Sequence, residues 1–320
     1  MSEALVEVVR SGFRECTHRG SAVIVDADGS SMSEISDTES PIFPRSSNKP
    51  LQAVAMLRAG FVPLTSSELA ISAASHEGQR EHVRLVQSLL DRFGLTAAHL
   101  RCPAALPSND RARADAMAAG IEPTPLFMNC SGKHSAMLAT CVVNEWPLAD
   151  YLDPTHPLQV AIGASIADLT SERTAALGVD GCGLPIVPVS LADLARSFGR
   201  LVTSAPGTPE RAVADAVREH PFLISGTGKE DEILMTAVPG LLCKSGADGV
   251  FAAALPDGTA FAFKIDDGHD RARLPLAAAA LRRCGAPWSD ELEALAERPV
   301  MGGADRVGTV RAMVEFTPLT

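Results

Sequence analysis

Short apolar runs with polar punctuation open the chain: Leu5 to Val9 and Ser21 to Val25 read as strands, and Asp26-Ala27-Asp28-Gly29 supplies a turn after the second. The pattern then changes period. Ser46-Ser47-Asn48-Lys49-Pro50 leads into the apolar stretch Leu51 to Leu57, with Pro50 tolerated in a first helical turn and Gly60 as a stop. A helix is expected there, with Ser46 and Lys49 at its mouth. Thr65 and Glu68 stand at capping-box spacing for a second helix that runs into Ala73-Ala74 and ends near Ser75-His76-Glu77-Gly78. Helical stretches follow at Glu81 to Arg92, Asp110 to Ala119, Ser131 to Val143 and Pro157 to Ala176.

From Pro188 the pattern mixes again. Helices are expected at Leu191 to Leu201, Pro209 to Glu219 and Lys229 to Ala237, then a hairpin of two strands, Gly249 to Leu255 and Thr259 to Ile265, around Pro256-Asp257-Gly258. A helix from Arg271 to Arg283 and a strand from Val307 to Phe316 close the chain. Strands at both ends with helices between them imply an α/β fold of the α+β kind. Its antiparallel sheet domain, flanked by helices, takes residues 1–65 and 188–320, and a mainly helical lobe, 66–187, is inserted.

The 320 residues are 46% hydrophobic, enough for a sizeable core, and the 25 Gly and 22 Pro follow no period. A net charge of −11 repels phosphate backbones and anionic membrane surfaces, and no basic run overrides it. Neither a nucleic acid nor a membrane is therefore expected as a partner. The N-terminus lacks the basic start and apolar stretch of a signal peptide, and no apolar run approaches the roughly 18 residues of a membrane span. A soluble, cytoplasmic protein is expected. Seven cysteines, an odd number spread from Cys16 to Cys284, read as reduced thiols, with any exception a metal ligand or a nucleophile.

Only five of the 28 basic residues are lysines: Lys49, Lys133, Lys229, Lys244 and Lys264. Where charge alone suffices this chain uses Arg, so the lysines mark positions that need a compact, titratable amine. Ser46-x-x-Lys49 puts a hydroxyl and an amine one helical turn apart, where a neutral lysine can take the serine proton. With Lys244-Ser245-Gly246 late in the chain, the order resembles that of serine β-lactamases and penicillin-binding proteins, whose fold also inserts a helical lobe into a sheet domain. Ser75 stands at a helix end beside Gly78, where a cap is the plain reading, and Lys264 faces away from its apolar neighbours Phe263 and Ile265. Asn129-Cys130-Ser131-Gly132-Lys133-His134 and Asp180-Gly181-Cys182-Gly183 are two Gly-bearing turns, each with a cysteine. Cys130, Cys182 and His134 suit a zinc site, but no fourth ligand is evident, and buried free thiols are the alternative.

The strings PRSSNKPLQA, AASHEGQREHV, NCSGKHSAML, DGCGLP, KSGADGV and FKIDDGHDRA, in this order through residue 273, resemble the rhizobial-type, or class 3, L-asparaginases. The resemblance implies a serine β-lactamase-like and glutaminase-like fold, a cytoplasmic homodimer, and hydrolysis of L-asparagine to L-aspartate and ammonia. It implies two Ser-Lys tandems, Ser46 with Lys49 and Ser75 with Lys264. It also implies a zinc ion near the substrate, held by Cys130, Lys133 and Cys182, with Asp180 and His134 behind them. On this reading Ser46 is the nucleophile and Lys49 its base, Ser75 and Lys264 shuttle protons, and Arg45 either clamps the substrate carboxylate or makes an exposed salt bridge. Two alternatives stand beside it: an acyl-serine amidase or esterase with another substrate, and a non-catalytic zinc or amino-acid binding protein.

Overall fold

Strand β1 (Glu3–Arg10) buries Leu5, Val6 and Val8, and β2 (Phe13–Val25) buries the run Ala22 to Val25, which gives each strand a covered face. The computed structural model describes residues 2–171 and 177–317. After β3 (Ser31–Ile35) come α1 (Lys49–Arg58), α2 (Ser66–Ser72), α3 (Arg80–Arg92), α4 (Asp110–Ala118), α5 (Ser131–Val143) and α6 (Pro157–Thr170). The two-residue strands β4 (Gly178–Val179) and β5 (Pro185–Ile186) precede α7 (Leu191–Thr203), α8 (Pro209–Glu219), α9 (Pro221–Ile224) and α10 (Glu230–Ala237). The chain closes with β6 (Leu242–Ser245), β7 (Val250–Ala254), β8 (Ala260–Ile265), α11 (Arg273–Arg283), α12 (Asp290–Ala296), β9 (Glu297–Gly302) and β10 (Asp305–Ala312).

Two units result. The first holds Met1–Ser47, Val189–Thr203 and Leu234–Thr320. Its sheet is antiparallel, in the order β6-β7-β8-β2-β1-β10-β9, with β3 also paired to β2. The turn after β2 is closed by Asp26, whose carboxylate accepts from the backbone N–H groups of Asp28 and Ser30. Helix α7 packs on β2, β7 and β8, α11 on β1 and β10, and α12 on α11. Gly20 is needed where β2 meets β8, because a Cβ there would lie 2.0 Å from the Lys264 carbonyl oxygen.

The second unit, Asn48–Pro188 and Ser204–Ile233, is helical apart from the β4-β5 ribbon. Its axis is α5, buried from Ser131 to Cys141 and packed against α1, α2, α3 and α6. Helix α1 is buried from Lys49 to Met56, and packs on α6 and α8 as well. Helices buried all round need no amphipathic stripe. That is why this unit takes in α1 and residues 204–233, outside the 66–187 lobe expected from the pattern.

The expected mixed fold is present: an antiparallel sheet with helices against it, and a helical unit inserted in the chain. Strands β3 and β9 were not expected, and β10 ends at Ala312 rather than Phe316. In β9 only Val300 is buried and Pro299 interrupts the run, so its alternation is hidden. Helix α6 ends at Thr170, and residues 172–176 of the helix expected to Ala176 lie outside the described residues. No helix among the described residues is long and apolar enough to cross a membrane.

Candidate active site

Helix α2 stops at Ser72, and the loop from Ala73 to Gln79 carries the Ser75-His76-Glu77-Gly78 string. Its backbone is held from two sides: the Ser75 N–H donates to the Ile224 carbonyl at 2.8 Å and the His76 N–H to that of Asn129 at 3.1 Å. Lys49, at the start of α1 where Pro50 fits the first turn, is fully buried and points its amine at this loop. Its Nζ donates to Ser75 Oγ at 2.7 Å, to the Ala74 carbonyl, and to the Asn129 carbonyl at 3.4 Å. Ser75 itself remains half-buried.

The start of α5 brings the second cluster. Gly132 lets this helix touch α2: a Cβ there would lie 2.2 Å from the Ile71 carbonyl oxygen. Cys130 caps the helix, and Lys133 one turn on donates to Cys182 Sγ at 3.4 Å. Cys182 lies 3.8 Å from Asp180 Oδ2 in the turn that precedes β5. A hydrogen bond from Cys182 holds the Cys130 thiol well below the ordinary thiol range, aided against burial by the charges of Lys49 and Lys133. The same bond, together with burial, pushes Cys182 up, so the pair shares one proton with Cys130 as the thiolate. Cys130 Sγ lies 3.1 Å from Asn129 Oδ1, a contact that a thiolate keeps only if the amide turns its Nδ2 to the sulfur. Burial pulls the Lys133 amine down, but Cys130, Cys182 and Asp180 outweigh it and leave Lys133 above its ordinary value.

His134 is fully buried and neutral, pushed well below its ordinary value by burial and then by Lys133 and Lys49. Its Nδ1 is 2.7 Å from the Tyr151 hydroxyl, which also accepts the Arg101 N–H at 3.0 Å. Giving the phenol proton to Nδ1 leaves only the Nε2–H of His134 without a partner among the described residues. The reverse tautomer would strand the phenol proton as well, so Nε2 carries the hydrogen.

Lys49, Ser75, Cys130, Lys133, His134, Asp180 and Cys182 all lie in the helical unit, and the contacts above join Lys49 to Ser75 and Lys133 to Cys182. Ser46, Arg45 and Lys264 belong to the sheet unit. Ser46 is half-buried in the 3-10 turn Arg45–Asn48, and its hydroxyl makes no hydrogen bond among the described residues. The serine that Lys49 holds is therefore Ser75, not the Ser46 expected from the i, i+3 spacing. Arg45, at a φ of 53°, pairs with Asp248, which is the salt-bridge alternative of its two expected roles. Lys264 donates to the Ile265 carbonyl at 2.6 Å, and burial lowers its pKa against the pull of Asp266, Asp248 and Asp267. Sequence reasoning missed Asn129, Ser131 and Tyr151. Tyr151 carried a signal, being the only tyrosine in the chain.

Among the described residues no three or more His, Cys, Asp or Glu side chains stand together so as to hold a metal ion. The third donor of the thiol cluster is instead an amine. Two sulfurs and a nitrogen match the preference of zinc for S and N ligands once Lys133 and Cys182 give up their protons, so the donor set fits the ion.

The family model described as L-asparaginase II matches residues 6–312. One solved structure similar to this chain is described as a crystal structure analysis of Mglu, at 14% identity over 83% of this chain and 67% of that one, with a TM-score of 0.37. Another is EstCE1, a hydrolase with promiscuous acyltransferase activity, at 12% identity over 82% and 88% and a TM-score of 0.36. A search of curated proteins found no match.

Proposed function

The chain belongs to the L-asparaginase II family, which makes it an amidohydrolase, and from that premise we propose that it hydrolyses L-asparagine through a serine activated by Lys49. The observation that carries the mechanism is the 2.7 Å contact between Lys49 Nζ and Ser75 Oγ. That line serves in both directions. An ammonium donates along it, and a neutral amine accepts the hydroxyl proton as Oγ attacks the side-chain amide carbon. The proton returns from Lys49 to the leaving nitrogen, ammonia departs, and water, deprotonated by the same amine, releases L-aspartate from the seryl ester.

His134 donates its Nε2–H to a substrate oxygen on this reading, since a buried donor without a partner is costly until a ligand supplies an acceptor. Cys130, Lys133 and Cys182 would hold a zinc ion, with Asp180 beside them; bound there, the ion would supply an electrophilic anchor for the substrate. A homodimer follows from the same family resemblance. Ser46, Lys264 and Arg45 remain residues that the resemblance implicates. Ammonia release from L-asparagine by the wild type, Ser75→Ala and Lys49→Arg tests the reading: both variants should be inactive, and wild-type rates in either would overturn it.

A further inference from the structure

We propose that His76 is a positioning residue that ties the Ser75 loop to the start of α5, and so sets the Lys49–Ser75 pair against Cys130. The inference rests on the Ser-Lys reading above. His76 is fully buried with both ring nitrogens engaged, so it does not touch substrate. Its Nδ1 accepts the Gly78 N–H at 3.0 Å, which puts the ring proton on Nε2. Nε2–H then donates to Ser131 Oγ at 2.8 Å, and Ser131 passes its own hydrogen to the Leu126 carbonyl at 2.9 Å. Every proton in the chain Gly78, His76, Ser131, Leu126 has one direction and one acceptor.

The main chain repeats the tie. The His76 N–H takes the Asn129 carbonyl, the oxygen that Lys49 also reaches. His76 thus binds residues 126–131 twice, on either side of Cys130. Rotation of the ring is blocked from its other face, where His82 stacks at 5.1 Å and is itself stacked on Phe222 at 4.6 Å. His82 is fixed in turn: it accepts the Gln79 N–H and donates to the Phe222 carbonyl. Gly78, at a φ of 70°, keeps the loop close, since a Cβ there would lie 3.0 Å from the Phe127 carbonyl oxygen.

The test uses Ser131→Ala, His76→Phe, their double variant, and His76→Gln, whose amide nitrogen can stand where Nε2 stood. Displacing the pair by an ångström should lower kcat by about 10- to 100-fold in either single variant with KM nearly unchanged. The double variant should be no slower than the worse single one, and His76→Gln should recover most of the rate. Hydrogen exchange in peptides covering 74–78 and 126–131 should accelerate together in the two damaging variants and not in His76→Gln. Losses that multiply in the double variant, unaltered exchange, or a lower Tm with wild-type kcat in the folded protein would each overturn the inference. A fully active Ser75→Ala alongside coupled losses would instead retain the tie and remove Ser75 as nucleophile.

Discussion

Lys49 and Ser75 stand 26 positions apart in the chain, yet the amine of one lies 2.7 Å from the hydroxyl of the other. The contact exists because α1 and the loop after α2 meet beside the buried start of α5, and Asn129 and Ala74 hold the amine from the same side. Lysine is the residue type this geometry requires, since a guanidinium offers the same charge but cannot accept a proton.

Lys49→Arg should therefore lose at least about 10³-fold in kcat, as should Ser75→Ala, while Ser46→Ala should lose less than either. Steady-state ammonia release from L-asparagine measures all three. A Ser46→Ala loss as deep as that of Ser75→Ala would mean that Lys49 serves the nearer serine in the sequence during turnover.

The purified protein should carry about one zinc ion per chain, and Cys130→Ser or Cys182→Ser should remove it. Because the seryl nucleophile needs no metal-activated water, loss of the ion should raise KM and leave substantial kcat at saturating asparagine. Elemental analysis of protein prepared without chelator checks the first part. No metal in such protein would return Cys130 and Cys182 to the status of buried thiols.

The strand and helix periods exposed both halves of the fold, because half-buried strands and amphipathic helices advertise their covered faces. Elements buried on all sides or hardly at all gave no such period: α1 was assigned to the wrong unit, and β9 was missed. At the site, motif strings located Lys49, Ser75, Cys130, Lys133, His134 and Cys182, but pairing is a property of packing. The i, i+3 spacing favoured Ser46 for Lys49, whereas the turn that carries Ser46 leaves its hydroxyl without a hydrogen bond among the described residues. Asn129 acts through its carbonyl, which no side-chain pattern can reveal.

Acidification should destabilise the helical unit before the carboxylates titrate. Burial holds His76, His82 and His134 below their ordinary value of 6.5. In the unfolded chain they bind protons as pH falls through that value, and in the folded chain they do so only at lower pH. Stability is thus complete above about pH 6.5 and declines below it, by up to about 1.4 kcal/mol per pH unit for each histidine. Tm should fall between about pH 7 and about pH 5.5. A flat Tm over that interval would show that these rings charge freely in the folded protein.

L-Asparagine should be preferred to L-glutamine by at least about a hundredfold in kcat/KM. With the α-groups clamped, an added methylene carries the amide carbon roughly 1 Å or more out of line with the hydroxyl. Filling a pocket alone would separate the two by only about 10- to 200-fold. Parallel ammonia assays on both amides decide it. Equal rates would mark a general ω-amidase with one end of its substrate unclamped.

The claim that Ser75 attacks the amide is tested most directly by trapping the intermediate. Wild-type protein mixed with L-asparagine, quenched in acid before the first turnover completes and digested, should show one aspartyl group in ester linkage on the peptide that carries Ser75, with none in Ser75→Ala. An aspartyl ester on the peptide that carries Ser46, persisting in Ser75→Ala, would contradict it.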